Sequence, residues 1–347
     1  MKQPLIHRLA NASIWYFAFG YFACYIPYSA LTKAISSGRI PGYSPIPGVR
    51  MLPLSLAVSV LVMITFVGVT GLWRYAHTFK LGGLSIPYPS RGPFFSGLCV
   101  SAIIASTTLA YTFAGISIVF AMLLMRGGVL MIAPVIDAMS QRKTHWYSWA
   151  GLALSLLALV VAFAEKGGLK LTLIAGIDIA VYLSAYFVRL RLMSRYAKSD
   201  DPNAQLRYFT EEQLVGPPMS FFLVALGALF LDGEFGRNLA LGFSPSTLGP
   251  ALWGVLLIGF FSQFTGIFGG LILLNKQENT YCVPVNRSSS ILAGVIASFV
   301  LTVWLNAPAP SPHKLTGAGL IIGAILVLSI PPLLQKLQAR KEKRQEH

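Results

Sequence analysis

Ten runs of predominantly apolar residues follow one another along this chain, at about 12–33, 52–73, 93–114, 116–139, 146–165, 168–190, 212–232, 250–274, 280–305 and 315–335. A helix rises about 1.5 Å per residue, so runs of roughly 20 residues are what a hydrocarbon core about 30 Å thick demands. Within that core the backbone must satisfy its own hydrogen bonds, which leaves the helix as the spanning form for runs of this length. Charged residues make up 11% of the chain and hydrophobic ones 55%, where soluble domains carry about 25% charge. No stretch between the runs is long enough for a soluble domain. The expected fold class is therefore an all-α integral membrane protein, with residues 1–347 forming a single polytopic domain of ten transmembrane helices.

Basic residues set the expected orientation. Eighteen lysines and arginines fall in segments on the side of the N-terminus and seven in segments on the other side. Both termini are expected in the cytoplasm, and the short loops and compact length suit a bacterial inner membrane. The opening MKQPLIHRLANASIWYFAF reads as a retained first helix, because no small-residue cleavage site follows it. The formal charge of +15 reflects this asymmetry together with the basic tail 336–347. Such a tail is a solvated segment near anionic lipid, so membrane lipids are expected partners and nucleic acid is not. Cys24, Cys99 and Cys282 fall inside runs and match no metal or redox spacing.

Two of the runs carry a charge near their middle. Residues 117–139 read SIVFAMLLMRGGVLMIAPVIDAM around Arg126, and residues 281–304 read YCVPVNRSSSILAGVIASFVLTVW around Arg287. An arginine at the centre of a spanning helix costs roughly 2.5–3.5 kcal/mol on insertion scales. Both segments have the order arginine, small residues, apolar run. The flanking sequence pairs as well: Phe94-Phe95-Ser96 opens the piece 93–165 and Phe260-Phe261-Ser262 the piece 250–335. Five runs per half force the second half to enter the membrane from the opposite side. The expected organisation is two inverted repeats, about 12–165 and 168–335, of the kind that places a solute site near the midplane.

Helical periodicity selects the residues that would line such a site. Arg287 shares a stripe with Ser290, Gly294 and Ser298, and follows Asn286. A guanidinium fork suits a phosphate, carboxylate or sulfate; the structural reading is a satisfied pair with carbonyls or with Asp178. Asp137 lies eleven positions beyond Arg126, roughly 16 Å along the helix, too far to neutralise it. Asp178 shares a face with Tyr182 and Arg189 and stands either as a structural ion-pair partner or as a coupling site. Tyr21, Tyr25, Tyr28 and Thr32 form one stripe, and Ser101, Thr108, Tyr111 and Thr112 another. Tyr28, Tyr111 and Tyr182 join Arg126, Arg287 and Asn286 as candidate substrate contacts, with belt or packing roles as the structural reading. Gln263 is divided between an interhelical bond and a ligand contact. Gly319 and Gly323 form a G-x-x-x-G spacing for packing within one subunit or across a homodimer. Glu211 and Glu212 fall beside a cytoplasmic loop and read as solvated charge.

Ten helices in a five-plus-five repeat, the very short Ala114-Gly115 turn and the Gly-containing partners of the fourth and ninth helices resemble the drug/metabolite transporter superfamily. Within it, Val285-Asn286-Arg287 is similar in type and place to the basic motif of nucleotide-sugar and triose-phosphate exporters, although the lysine often found there is absent. The resemblance implies a secondary carrier that moves an anionic or phosphate-bearing organic solute by alternating access. A flippase for a phosphate-linked lipid is the alternative of the same fold, its partner a lipid phosphate head group. An integral membrane enzyme or assembly subunit is the alternative of another class. No P-loop, H-E-x-x-H or G-x-S-x-G motif occurs. No catalytic residue, metal ligand or cofactor is therefore expected.

Overall fold

The computed structural model describes residues 13–40, 44–82, 84–110, 118–164, 173–199, 201, 203–306, 309 and 312–345. Eleven α-helices are described: α1 Ile14–Ser36, α2 Gly48–Thr70, α3 Arg91–Ala110, α4 Ile118–Met139, α5 Trp146–Ala164, α6 Leu173–Leu192, α7 Ala204–Phe230, α8 Gly233–Gly242, α9 Leu252–Leu273, α10 Asn279–Leu305 and α11 Pro312–Gln345. All but the short α8 fall on the ten apolar runs. Five segments are long and apolar enough to cross a membrane: Gly48–Thr70, Ala204–Phe230, Gly249–Leu273, Asn279–Leu305 and Leu315–Leu334. The other long helices carry more polar residues, such as the tyrosines of α1 and the serines and threonines of α3. Large apolar side chains stand exposed around the bundle, among them Phe19, Leu61, Val69, Leu229, Trp253 and Val303. Soluble monomers rarely expose so much contiguous apolar surface, which fits an integral membrane protein.

The expectation of an all-helical chain is corrected at one place. Strands β1 (His77–Leu81) and β2 (Leu84–Tyr88) form an antiparallel hairpin between α2 and α3. Its strands are too short for an apolar-run reading, and Gly82 follows β1 in a turn at φ 57°. Helix α7 begins at Ala204, ahead of the apolar run, because Gln205 to Gln213 pack into the bundle despite their polarity. Helix α11 continues through the basic tail to Gln345; glutamine, lysine, arginine and glutamate are good helix formers.

Packing brings α1 against α9 and α10, α3 against α6 and α7, α2 against α7 and α9, α4 against α6 and α10, and α5 against α10 and α11. Small residues allow the closest approaches. A Cβ on Gly97 would stand 2.5 Å from Val215 Cβ, and one on Gly259 2.3 Å from the Ser55 carbonyl oxygen. At these same two interfaces a serine hydroxyl donates across to a glycine carbonyl, Ser101 to Gly216 and Ser59 to Gly259, each at 3.0 Å.

One end of the bundle is closed by buried polar groups. Asp137, at the end of α4, is fully buried and accepts four bonds at the start of α10: Asn279 N and Nδ2 at 2.8 Å, Thr280 N at 2.6 Å and Thr280 Oγ1 at 2.7 Å. A carboxylate here satisfies orphan N–H groups and faces the positive helix end. Lys198 donates to the Gln277 carbonyl at 2.7 Å and Asn279 Oδ1 at 3.0 Å. Glu278 does for α5 what Asp137 does for α10, accepting from Ser148 Oγ at 2.7 Å and lying 3.0 Å from His145 Nδ1.

Glu278 supplies a pH prediction. Burial pushes its carboxyl up, but the bonds from Ser148 and His145 outweigh this and hold it below the usual range. A carboxylate with a depressed folded pKa stabilises the fold above its unfolded pKa of roughly 4.3, and that stabilisation is lost as pH falls through the folded value. Thermal denaturation between pH 6 and 3 is expected to show a steeper acid-side loss for the wild type than for Glu278→Gln. Parallel curves would contradict this assignment.

Candidate functional site

The tyrosine stripe of α1 and the arginines of α4 and α10 meet in the middle of the bundle. Tyr21, Tyr25 and Tyr28 recur at helical spacing on α1, with successive ring centroids 5.6 Å apart. Arg126 on α4, half-buried, donates from Nη2 to Tyr25 Oη at 2.9 Å. Arg287 on α10 is 7% exposed, and its guanidinium lies over the Tyr186 ring, 4.8 Å from the centroid. Tyr182, one turn earlier on α6, packs beside Tyr186 with centroids 4.9 Å apart. Helix α10 packs on both α1 and α4, which brings Arg287, Arg126 and the tyrosine stripe into one region of the bundle.

The chemistry of this cluster is electropositive and incomplete. A cation over an aromatic face gains about 2 kcal/mol when desolvated, which offsets part of the cost of burying Arg287. Arg287 Nε nevertheless has no partner among the described residues. The four ion pairs among the described residues, His77–Glu211, His145–Glu278, Arg189–Glu212 and Arg207–Asp201, do not include Arg287. An unpaired buried N–H of a charged group is costly and is rarely left so without use.

Exposure around the cluster runs in one direction. Residues 279–290 of α10 are all buried, whereas beyond Ser290 the helix becomes largely half-buried. A Cβ added at Gly294 would meet nothing within 4 Å. Tyr25 and Tyr28 are likewise half-buried. Open space thus begins at Gly294, about two turns beyond the buried Arg287 and one beyond Ser290, while the Asp137 end is sealed.

Other candidates fall elsewhere. Asn286 is buried next to Arg287, with its Nδ2 and the Tyr21 ring both crowding Gly269 of α9. Tyr28 belongs to the rim of the tyrosine stripe. Tyr111 lies outside the described residues. Gln263 turns its amide to Gln213 at 3.0 Å, an interhelical bond between α9 and α7. Asp178 does not close the arginine pair: none of the ion pairs among the described residues includes it, Ser106 of α3 lies beside its carboxylate, and its buried Oδ2 has no partner among the described residues.

The reading of Glu211 and Glu212 as solvated charge is overturned, since both are fully buried. Glu212 takes a two-pronged grip from Arg189, Nε to Oε1 and Nη2 to Oε2 at 2.9 Å each, and a bond from Ser96 Oγ. Glu211 accepts from His77 N at 3.0 Å, Ser90 N at 2.8 Å and Ser90 Oγ at 2.6 Å. Neither carboxylate faces the arginine cluster. Two apolar cavities flank the bundle away from the arginines. One, of about 160 Å³, lies between α2, α3, α7 and α8, and another, of about 430 Å³, between α3 and α6.

No protein-family model matches the chain, and no curated protein matches it. A solved structure described only as "Crystal structure of protein" is similar to it in fold, with a TM-score of 0.60, 15% sequence identity, and coverage of 94% of this chain and 99% of that one.

Proposed function

We propose that this chain is a secondary carrier of the drug/metabolite transporter type that moves an anionic organic solute by alternating access, with Arg126 and Arg287 as its anion contacts. The observation that carries the reading is a buried Arg287 whose Nε lacks a partner, lying over the Tyr186 ring while Arg126 bonds Tyr25 on α1, the helix packed against α10. Tyr21, Tyr25, Tyr182 and Tyr186 supply hydroxyls and ring faces for the remainder of such a solute.

An inverted repeat is supported by which helices touch. Leaving α8 aside, exchange each helix of the first five with its counterpart in the second five. The α1–α9 packing then becomes α6–α3, α7–α3 becomes α2–α9, α10–α1 becomes α4–α6, and α10–α11 becomes α4–α5; each of these pairs is in contact. The α5–α11, α2–α7 and α4–α10 pairs map onto themselves and are also in contact. The α5–α10 packing is not matched to the same extent by α4 and α11. Two arginine helices that pack on the repeat axis suit a site shared by both halves. With the Asp137 end sealed and the Gly294 side open, the conformation suits one stage of an alternating-access cycle, open to the side opposite the termini.

A thermal-shift screen of the purified protein against phosphorylated sugars, nucleotides, organic acids and polyprenyl phosphates, with neutral sugars and cationic amines in the same panel, tests the proposal. Stabilisation by a water-soluble anion is the expected result. Hits confined to neutral or cationic compounds would remove the anion carrier, and hits confined to polyprenyl phosphates would replace it with a lipid flippase.

A further inference from the structure

Cross-strand pairing sorts the β1–β2 hairpin into two unlike faces. Residues opposite one another share a face and successive residues alternate. The pairs His77–Tyr88 and Phe79–Ile86 therefore fall on one face, and Thr78–Pro87 and Lys80–Ser85 on the other. The first face is aromatic and aliphatic, with ring centroids of His77 and Tyr88 5.8 Å apart and of Phe79 and Tyr88 6.1 Å apart. Yet it is uncovered: Phe79 is 45% exposed, Ile86 36% and Tyr88 41%. A two-stranded hairpin standing alone in water is marginal at best, so an apolar face of this kind calls for a cover.

The hairpin cannot travel far to find one. Its two feet are held by a single buried carboxylate, Glu211 of α7, which accepts from the backbone N–H of both His77 and Ser90. It also joins helices whose adjoining ends present apolar residues outward, Val69 within the last turn of α2 and Trp73 just after it, Phe94 and Phe95 at the start of α3. The apolar face is thus continuous in the chain with surfaces that a bilayer would cover. Arg74, Lys80 and Arg91 stand exposed around it, the residues that anionic headgroups attract. Tyrosine and tryptophan beside such cations are the composition of a membrane interface.

We propose that the hairpin 77–88 lies flat in the membrane interface as an amphipathic β-ribbon, with Phe79, Ile86 and Tyr88 toward the acyl chains and Thr78, Lys80 and Ser85 toward water and lipid headgroups. The occupant of the apolar face is the phospholipid surface. This goes beyond the carrier reading and does not depend on what the central site binds; it requires only that α2 and α3 sit in a bilayer.

Site-directed spin labelling of the full-length protein in vesicles of zwitterionic and anionic phospholipid tests it. Single cysteines at Phe79→Cys, Ile86→Cys, Thr78→Cys and Ser85→Cys would be labelled after Cys24, Cys99 and Cys282 are replaced by alanine. Ligand-free thermal stability of each variant is compared with the parent to show that the fold is retained. Labels at 79 and 86 are expected to collide preferentially with oxygen, which partitions into lipid, and labels at 78 and 85 with a water-soluble nickel chelate. Equal nickel accessibility at all four positions would overturn the proposal in favour of a solvated hairpin. Labels at 79 and 86 shielded from both reagents would overturn it in favour of a covering protein surface, and spin–spin broadening there would identify that surface as a second copy of this chain.

Discussion

Replacing Arg287 by methionine is expected to abolish anion-induced stabilisation and solute uptake while leaving the ligand-free protein as stable as the wild type, or more so. The guanidinium is buried with one N–H unpartnered, and exchanging a buried ionic group for an apolar one of similar volume is often neutral or stabilising. A residue kept for structure alone would behave in the opposite way. Arg287→Lys retains the charge but loses the fork and the flat contact with Tyr186. A hydrogen bond to a charged group contributes about 1.5–3 kcal/mol, so affinity is expected to fall roughly 10- to 150-fold. Uptake into proteoliposomes and ligand-dependent melting measure both variants. An Arg287→Met protein that unfolds several degrees early yet still responds to ligand would assign the arginine to the scaffold.

The second large effect lies at the Arg189–Glu212 pair between α6 and α7. Arg189→Met is expected to destabilise the protein by roughly 3–5 kcal/mol, because it strands a fully buried carboxylate. The double variant Arg189→Met/Glu212→Leu should recover most of that loss, since it removes both desolvated charges and leaves only Ser96 without its acceptor. Denaturation of the purified protein, with the two single variants and the double variant as a cycle, measures the coupling. Additive losses would mean that the two side chains do not act as a pair. Anion-induced stabilisation should persist in the double variant, because Arg189 and Glu212 bond to each other and to Ser96 rather than to Arg126 or Arg287.

Much of this fold is legible in the sequence because membrane helices announce themselves by length and apolarity. The two central arginines are legible for a related reason: a charge inside an apolar run has few tolerable explanations, so Arg126 and Arg287 draw attention unaided. Their actual neighbours are not. Periodicity places Tyr21, Tyr25 and Tyr28 on one face of α1, but only tertiary packing says that this face meets α4 and α10. Glu211 and Glu212 mislead because adjacent carboxylates beside a loop ordinarily stay hydrated; what buries them is the joint arrival of Ser90, His77, Arg189 and Ser96 from distant segments. Asp178 shows the same limit, since helical phase puts it on a face with Arg189 while the chain offers it Ser106. The hairpin escapes notice because its alternation extends over only five residues per strand.

The carboxylate of Asp137 also shapes the electrostatic profile along α10. A helix start is normally the point of highest positive potential and would itself attract an anion. Here that end is already neutralised by four short bonds to Asp137. The attractive well is displaced eight residues inward to Arg287, about 12 Å along the axis. In the proposed carrier, an anion arriving from the Gly294 side would meet Arg287 first and the closed Asp137–α10 contacts beyond it. Passage past that point would then require those contacts to separate, so the carboxylate that seals the bundle would also mark where the transport path has to open.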